Sequence, residues 1–255
     1  MIGTICKQQH EAIETAHPRS NVYSWDYLAT QLAAGLTGPR IDLRIVRHAE
    51  SVANARGLVT GQSDVALTFR GYMQALALAF RLPRTCDVVW VSSLRRTHRT
   101  IQVAEAFRFE RISRLPVCAD PRLDERALGD LEGTPRRSIG AYARGDLTYA
   151  PNHGESYLDL ARRLLSFLVD LRLHFQRETC AIVTTHVGPM RLLVGIIEGF
   201  DDPRTVLALK FSNAATHSCI LRDLRWPAFI RKEVLFDRRD RAMEASAGTS
   251  NNSQV

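Results

Sequence analysis

Three short apolar runs, each stopping on polar or cationic residues, constrain this chain more than any other feature. "LRIV" (43–46) stops at Arg47-His48, "CDVVWV" (86–91) at Ser92-Ser93 with Arg95-Arg96 just beyond, and "CAIVTT" (180–185) at His186. Runs this short and this continuously apolar are those of strands buried in a parallel sheet. Between them lie segments with helical spacing. "LTFRGYMQALALAFRLP", capped by Thr68, stops before Pro83; "RRTHRTIQVAEAF", "ESYLDLARRLLSFLVDLRLHF" and "PMRLLVGIIEGF" are the others. "HSCILRDL" and "AFIRKEVLF" supply late strands. Strands alternating with helices predict an α/β fold around a mostly parallel sheet.

Three segments follow. Residues 1–40 read as an N-terminal helical extension, in which "SWDYLATQLAAGLTGP" forms a helix capped by Ser24 and ended at Gly38-Pro39. Residues 41–237 form the main domain, and residues 238–255, ending "SAGTSNNSQV", have the composition of a disordered tail. The opening residues lack the apolar stretch of a secretory signal, and no apolar run approaches the roughly 20 residues that span a bilayer. Five cysteines form an odd set without CxxC spacing. Together these predict a cytoplasmic protein without a membrane partner.

The net charge of +7 rests on arginines scattered along the chain, with no lysine-rich tract or interleaved aromatic platform. That pattern argues against nucleic acid and for a small polyanionic ligand. Ligands in open α/β sheets bind outside the carboxyl ends of the strands, where these runs deliver two histidines and the arginines. Phosphoryl transfer needs charge neutralisation, an in-line nucleophile and a proton for the leaving oxygen. Arg47 and Arg96 suit the first task, because a guanidinium binds phosphate bidentately and keeps its charge. His48 suits the second as a neutral imidazole, with His186 hydrogen-bonding the transferring oxygens. Glu125, in "LDERALGDLEG", suits the third as a general acid.

The ordered motifs carry a resemblance. "RHAES" (47–51) resembles the Arg-His-Gly-Glu signature of the histidine phosphatase superfamily, phosphoglycerate-mutase-like branch, with Ala49 in place of glycine. Asn54 stands six positions after the histidine, and "TGQSDVALTFRGYMQA" aligns Thr60 and Gly61. "SSLRRTHRT" aligns Arg96, "DERALGDLEG" aligns Glu125, "GES" recurs at 154–156, and "THVGPMR" aligns His186, Val187 and Arg191. The match runs from about residue 43 to 215. It implies a three-layer α/β/α sandwich, a phosphohistidine intermediate and no metal or other cofactor. It also implies catalytic roles for His48, Glu125, His186, Arg47 and Arg96. Phosphate or substrate contacts would come from Arg47, Asn54, Thr60, Gly61, Arg96, His186, Val187 and Arg191.

About twenty residues, Thr134 to His153, separate the Glu-Gly motif from "GES". Mutases of this branch carry a longer insertion there, so the resemblance leans to a metal-independent phosphatase of a small phosphomonoester, a sugar phosphate being one candidate. A phosphoglycerate-type mutase and a catalytically silent phospho-ligand binder are the alternatives. Arg136, Arg137 and Arg144 lie in that segment, where they either meet water or bind a second anionic group of the substrate. His10, His17, His153, His174 and His217 show no metal-ligand spacing. A homodimer is the assembly allowed for.

Overall fold

The computed structural model describes residues 21–107, 117–137, 146–231 and 234. Arg144 and the tail from residue 238 therefore lie outside the described residues. Five strands form one sheet: β1 (Ile41–Arg47), β2 (Val88–Val91), β3 (Val117–Ala119), β4 (Thr179–Thr185) and β5 (Thr216–Leu221), in the order β3-β2-β4-β1-β5. All neighbouring pairs are parallel except β1 with β5.

Side-chain alternation along the strands builds a core on each face. Ile41, Leu43 and Ile45 of β1 join Val88, Ala181 and Val183 in the larger core. Val46 points the other way, with Val89, Val91 and Ile182. Helix α5 (Tyr157–His174) and helix α6 (Val187–Ile197) cover the first face. Helix α3 (Phe69–Leu78) and helix α4 (Arg95–Ala106) cover the second through Ala75, Leu78, Ile101 and Ala104. The result is the three-layer α/β/α sandwich expected. Helix starts follow their caps. Thr68 accepts from the Gly71 amide, and Ser156 forms a capping box with Asp159, each arrangement contributing about 1 kcal/mol.

Helix α1 (Trp25–Leu32) starts at Ser24, as its sequence predicts, but ends earlier than Gly38-Pro39. Leu36 leaves the helix to exchange two backbone hydrogen bonds of 2.8 Å with Leu224. Leu28 and Leu32 are buried in the larger core, each contributing on the order of 2 kcal/mol. A buried polar chain reinforces this attachment. The Tyr23 hydroxyl donates to Asp170 at 2.6 Å, and Asp170 pairs at 2.5 Å with Arg122, which also pairs with Asp120 at 2.8 Å.

One expected strand is a helix. Residues 228–231 and 234 of "AFIRKEVLF" are helical. Pro227 presets the first turn, and its carbonyl accepts from the Ile230 and Arg231 amides. Phe229, Ile230 and Val234 are all buried; a helix puts all three on one face, whereas an alternating strand would turn Phe229 away from the other two. Two short helices, α2 (Val52–Ala55) and α7 (Pro203–Ala208), complete the set among the described residues, and two 3-10 turns cover Pro121–Leu123 and Gly129–Leu131.

Candidate active site

The strand register brings the chemistry together. Arg47 at the end of β1 lies opposite Thr185 at the end of β4, and the His48 amide donates to the Thr185 carbonyl at 2.9 Å. The next residues, His48 and His186, thus emerge side by side, with ring centroids 5.1 Å apart. Val91 of β2 pairs with Thr184, so Ser92 emerges beside His186 on its other flank. Arg96, in the first turn of α4, reaches back to the same place.

Hydrogen bonds fix both imidazole tautomers. Nδ1 of His48 lies 2.7 Å from the Ala49 carbonyl, which only accepts, so Nδ1 carries the proton and Nε2 keeps its lone pair. The Arg96 Nε–H donates to Nδ1 of His186 at 3.1 Å; a guanidinium only donates, so the neutral ring is protonated on Nε2, which lies 2.7 Å from Ser92 Oγ. Burial, then the charges of Arg96 and Arg47, holds the His48 pKa well below the ordinary histidine value. Burial, then Arg96, does the same for His186. Both rings are therefore neutral at neutral pH.

The arginines are anchored on carbonyls. Arg47 Nη1 donates to the Phe211 carbonyl at 2.6 Å, while its buried Nε has no hydrogen-bond partner. Burial, aided by Arg136, Arg191 and Arg96 and opposed by Glu125, brings its pKa down to about 10. Arg96 donates from Nη1 to the Ser63 carbonyl and from Nη2 to the Gly61 carbonyl, both at 2.8 Å. Glu132 holds that loop by accepting from the Gln62 and Ser63 amides at 2.9 and 3.0 Å. At Gly61, φ is +47°, and a β-carbon would collide with Glu132.

Glu125 follows a tightly pinned stretch. The Thr185 hydroxyl donates to the Leu123 carbonyl at 2.5 Å, and Arg163 donates to the carbonyls of Arg122 at 2.6 Å and Glu125 at 3.0 Å. Glu155 pairs with Arg163 at 2.9 Å and accepts from the Ala127 amide. The Glu125 carboxylate accepts from the Arg126 amide at 2.9 Å and from the Gly188 amide at 3.4 Å.

These side chains line a cavity of about 420 Å³. Arg47, His48, Asn54, Thr60, Gly61, Arg96, Glu125, Val187 and Arg191 all border it. His186 does not: it is fully buried, and both its ring nitrogens are engaged. Arg136 lines the cavity and Arg137 does not. Arg126 and Lys210 also line it, and Asn213 and Glu132 hold its walls, although the sequence does not mark these four as site residues. Glu132 stood within the Glu-Gly motif and could have been found there; Lys210 and Asn213 belong to no motif. Among the described residues, no group of three or more His, Cys, Asp or Glu side chains could hold a metal ion, and no helix is long and apolar enough to cross a membrane.

An α/β sandwich with a cationic, histidine-bearing cavity at the carboxyl edge of its sheet defines a class built to hold a phosphoryl group. Residues 43–227 match the histidine phosphatase superfamily (branch 1), and the chain belongs to it. It is 28% identical over 177 residues to the 2,3-bisphosphoglycerate-dependent phosphoglycerate mutase of Bartonella henselae, covering 64% of this chain and 84% of that one. It is 30% identical over 166 residues to the adenosylcobalamin/alpha-ribazole phosphatase of Escherichia coli, covering 62% and 79%. The structure of a mycobacterial glucosyl-3-phosphoglycerate phosphatase in complex with VO3 superposes with a TM-score of 0.57 at 28% identity, covering 69% of this chain and 90% of the other. Its relatives thus include both phosphatases and mutases.

Proposed function

We propose that this chain hydrolyses a small phosphomonoester through a phosphohistidine on His48. The observation that carries this reading is the His48 tautomer, whose unprotonated Nε2 is held neutral beside Arg47 and Arg96. Nε2 attacks phosphorus as the ester P–O bond breaks, and the Nδ1–H bond to Ala49 stabilises the charge that develops on the ring. Arg47 and Arg96 neutralise the equatorial oxygens. Glu125 gives its proton to the leaving oxygen, then takes one from the water that attacks the phosphohistidine. His186 serves here by holding the Arg96 guanidinium, rather than by contacting the phosphoryl group itself in this geometry. The brief segment between Glu132-Gly133 and Gly154 supports release to water over the mutase reaction.

The remaining cavity wall narrows the substrate class. Arg126, whose guanidinium stacks 4.0 Å over the Tyr157 ring, lines the cavity with Arg136, Arg191 and Lys210. With Arg47 and Arg96 these make six cations facing one carboxylate, Glu125. A phosphomonoester offsets about two of those charges, so the substrate carries a second anionic group.

The test is a panel of phosphomonoesters in EDTA, with phosphate release measured for wild type and His48→Ala. Release should be confined to wild type, and 3-phosphoglycerate should be turned over faster than glycerol 3-phosphate, which shares its skeleton but lacks a carboxylate. Undiminished release by His48→Ala would overturn the mechanism, and net transfer between hydroxyls exceeding release would make the chain a mutase.

A further inference from the structure

The segment Phe211–Ala215, just before β5, grips the start of the site. Its Phe211 carbonyl holds Arg47, its Ala215 carbonyl accepts from the Arg47 amide at 2.9 Å, and the Ala214 amide donates to the His48 carbonyl at 3.1 Å. Ala214 sits at φ +55°, an unfavourable backbone for alanine, and Arg81 pins its carbonyl at 2.9 Å. Asn213, between them, donates from Nδ2 to the His48 carbonyl at 3.3 Å and to Asn54 Oδ1 at 2.8 Å.

Two backbone groups fix which way both amides face. The His48 carbonyl only accepts, so the end of Asn213 that meets it is the NH2 group. That same NH2 group meets Asn54, which must therefore present its oxygen. The Ser51 amide, which only donates, lies 3.2 Å from the same Asn54 atom and requires the same orientation independently. With its oxygen claimed twice, Asn54 has its NH2 group left for the cavity it lines.

We infer that Asn213 is a positioning residue that, together with the Ser51 amide, holds the polarity of Asn54, making Asn54 a donor to the bound phosphoryl oxygens. This rests on the phosphatase reading of the cavity. An amide turned the other way would aim an oxygen at a phosphate dianion, so the orientation decides between attraction and repulsion. Asn213 touches neither phosphate nor the reacting atoms; it acts through Asn54.

The experiment measures inhibition by inorganic phosphate, together with kcat and KM for 4-nitrophenyl phosphate, in a double-mutant cycle. In Asn213→Asp the carboxylate only accepts, so Asn54 turns to donate to it. Phosphate affinity should weaken by about tenfold or more, with KM rising more than kcat falls. Asn54→Ala alone should cost a similar factor, and in that background Asn213→Asp should add less than about twofold. Should Asn213→Asp fail to fold by circular dichroism, the cycle is run with Asn213→Ala, which removes the donor to Asn54, and the same non-additivity is expected at about threefold. Unchanged phosphate affinity in a folded Asn213 variant, or a loss that adds in full to Asn54→Ala, would overturn the inference while leaving the phosphatase reading intact. A wild type that neither binds phosphate nor releases it from any ester would sink both.

Discussion

The carboxylate of Glu125 lies against the backbone of Gly188, so close that a β-carbon on Gly188 would overlap Glu125 Oε1. The first turn of α6 thus does two jobs: it follows His186 directly, and it leaves room for a carboxyl group beside the cavity.

Gly188→Ala should therefore displace Glu125 without disturbing His48 or the arginines. If Glu125 protonates the leaving oxygen, the cost falls on substrates that need that proton. Alkyl phosphates should lose about a hundredfold in kcat, the lower end of what acid catalysis contributes, and 4-nitrophenyl phosphate, whose leaving group departs unaided, about tenfold or less. Steady-state kinetics with both substrates checks this; equal losses would mean that the alanine acts by some other route.

The two buried imidazoles make stability depend on pH. Unfolded histidines titrate near pH 6.5, whereas burial keeps His48 and His186 neutral to well below that value. Below about pH 6.5 the unfolded chain therefore binds protons that the native chain does not. Stability is fully present above that pH and falls as pH drops towards the depressed native values, by up to about 1.4 kcal/mol per pH unit per ring. Urea denaturation at pH 7.5, 6.5 and 5.5 should show the decline, and His186→Gln should remove part of its slope.

Glu132→Ala should weaken phosphate binding without touching the ligand. Its carboxylate holds the Gln62 and Ser63 amides, and that loop supplies both carbonyls on which Arg96 rests. Loss of the clamp should raise the inhibition constant for inorganic phosphate by about tenfold, since a charge-assisted contact is misplaced. Glu132→Gln, which keeps one acceptor oxygen, should lose less.

Arg163→Met tests the support behind Glu125. Arg163 is buried, paired with Glu155 and bonded to two carbonyls, so its removal strips the Glu155 carboxylate of its counter-charge and the Arg122 carbonyl of its side-chain donor. The loss should reach about 3–5 kcal/mol in chemical denaturation, far above that of an exposed ion pair.

The fold was legible where period and punctuation agreed. The strand ends at Arg47, Ser92 and His186 could be read directly because polar residues interrupt apolar runs there, and the caps at Ser24 and Thr68 act locally. "AFIRKEVLF" misled because its apolar residues fit two periods, and only Pro227 and tertiary burial decide between them. Arg47, His48 and Arg96 were legible because they sit at a strand end or a helix start, whereas Thr60, Gly61 and Glu125 lie on loops and were legible only through the ordered motifs. What escaped was long-range. Asn213 meets Asn54 across 159 positions, and Arg163 meets Glu125 across 38, separations at which no local pattern operates. His186 shows a subtler limit: its place could be read, but not that Arg96 and Ser92 occupy both of its nitrogens.

The superfamily match begins at residue 43, yet Leu28 and Leu32 are already buried and the Tyr23 hydroxyl already bonds Asp170. A version of this chain trimmed to the matched region would strip one cover from the Asp170–Arg122 ion pair and open a greasy trough along α5. Anyone producing a shortened protein for crystallisation or screening should therefore cut before Asn21, because the sequence family's edge and the edge of the folding unit are two different places.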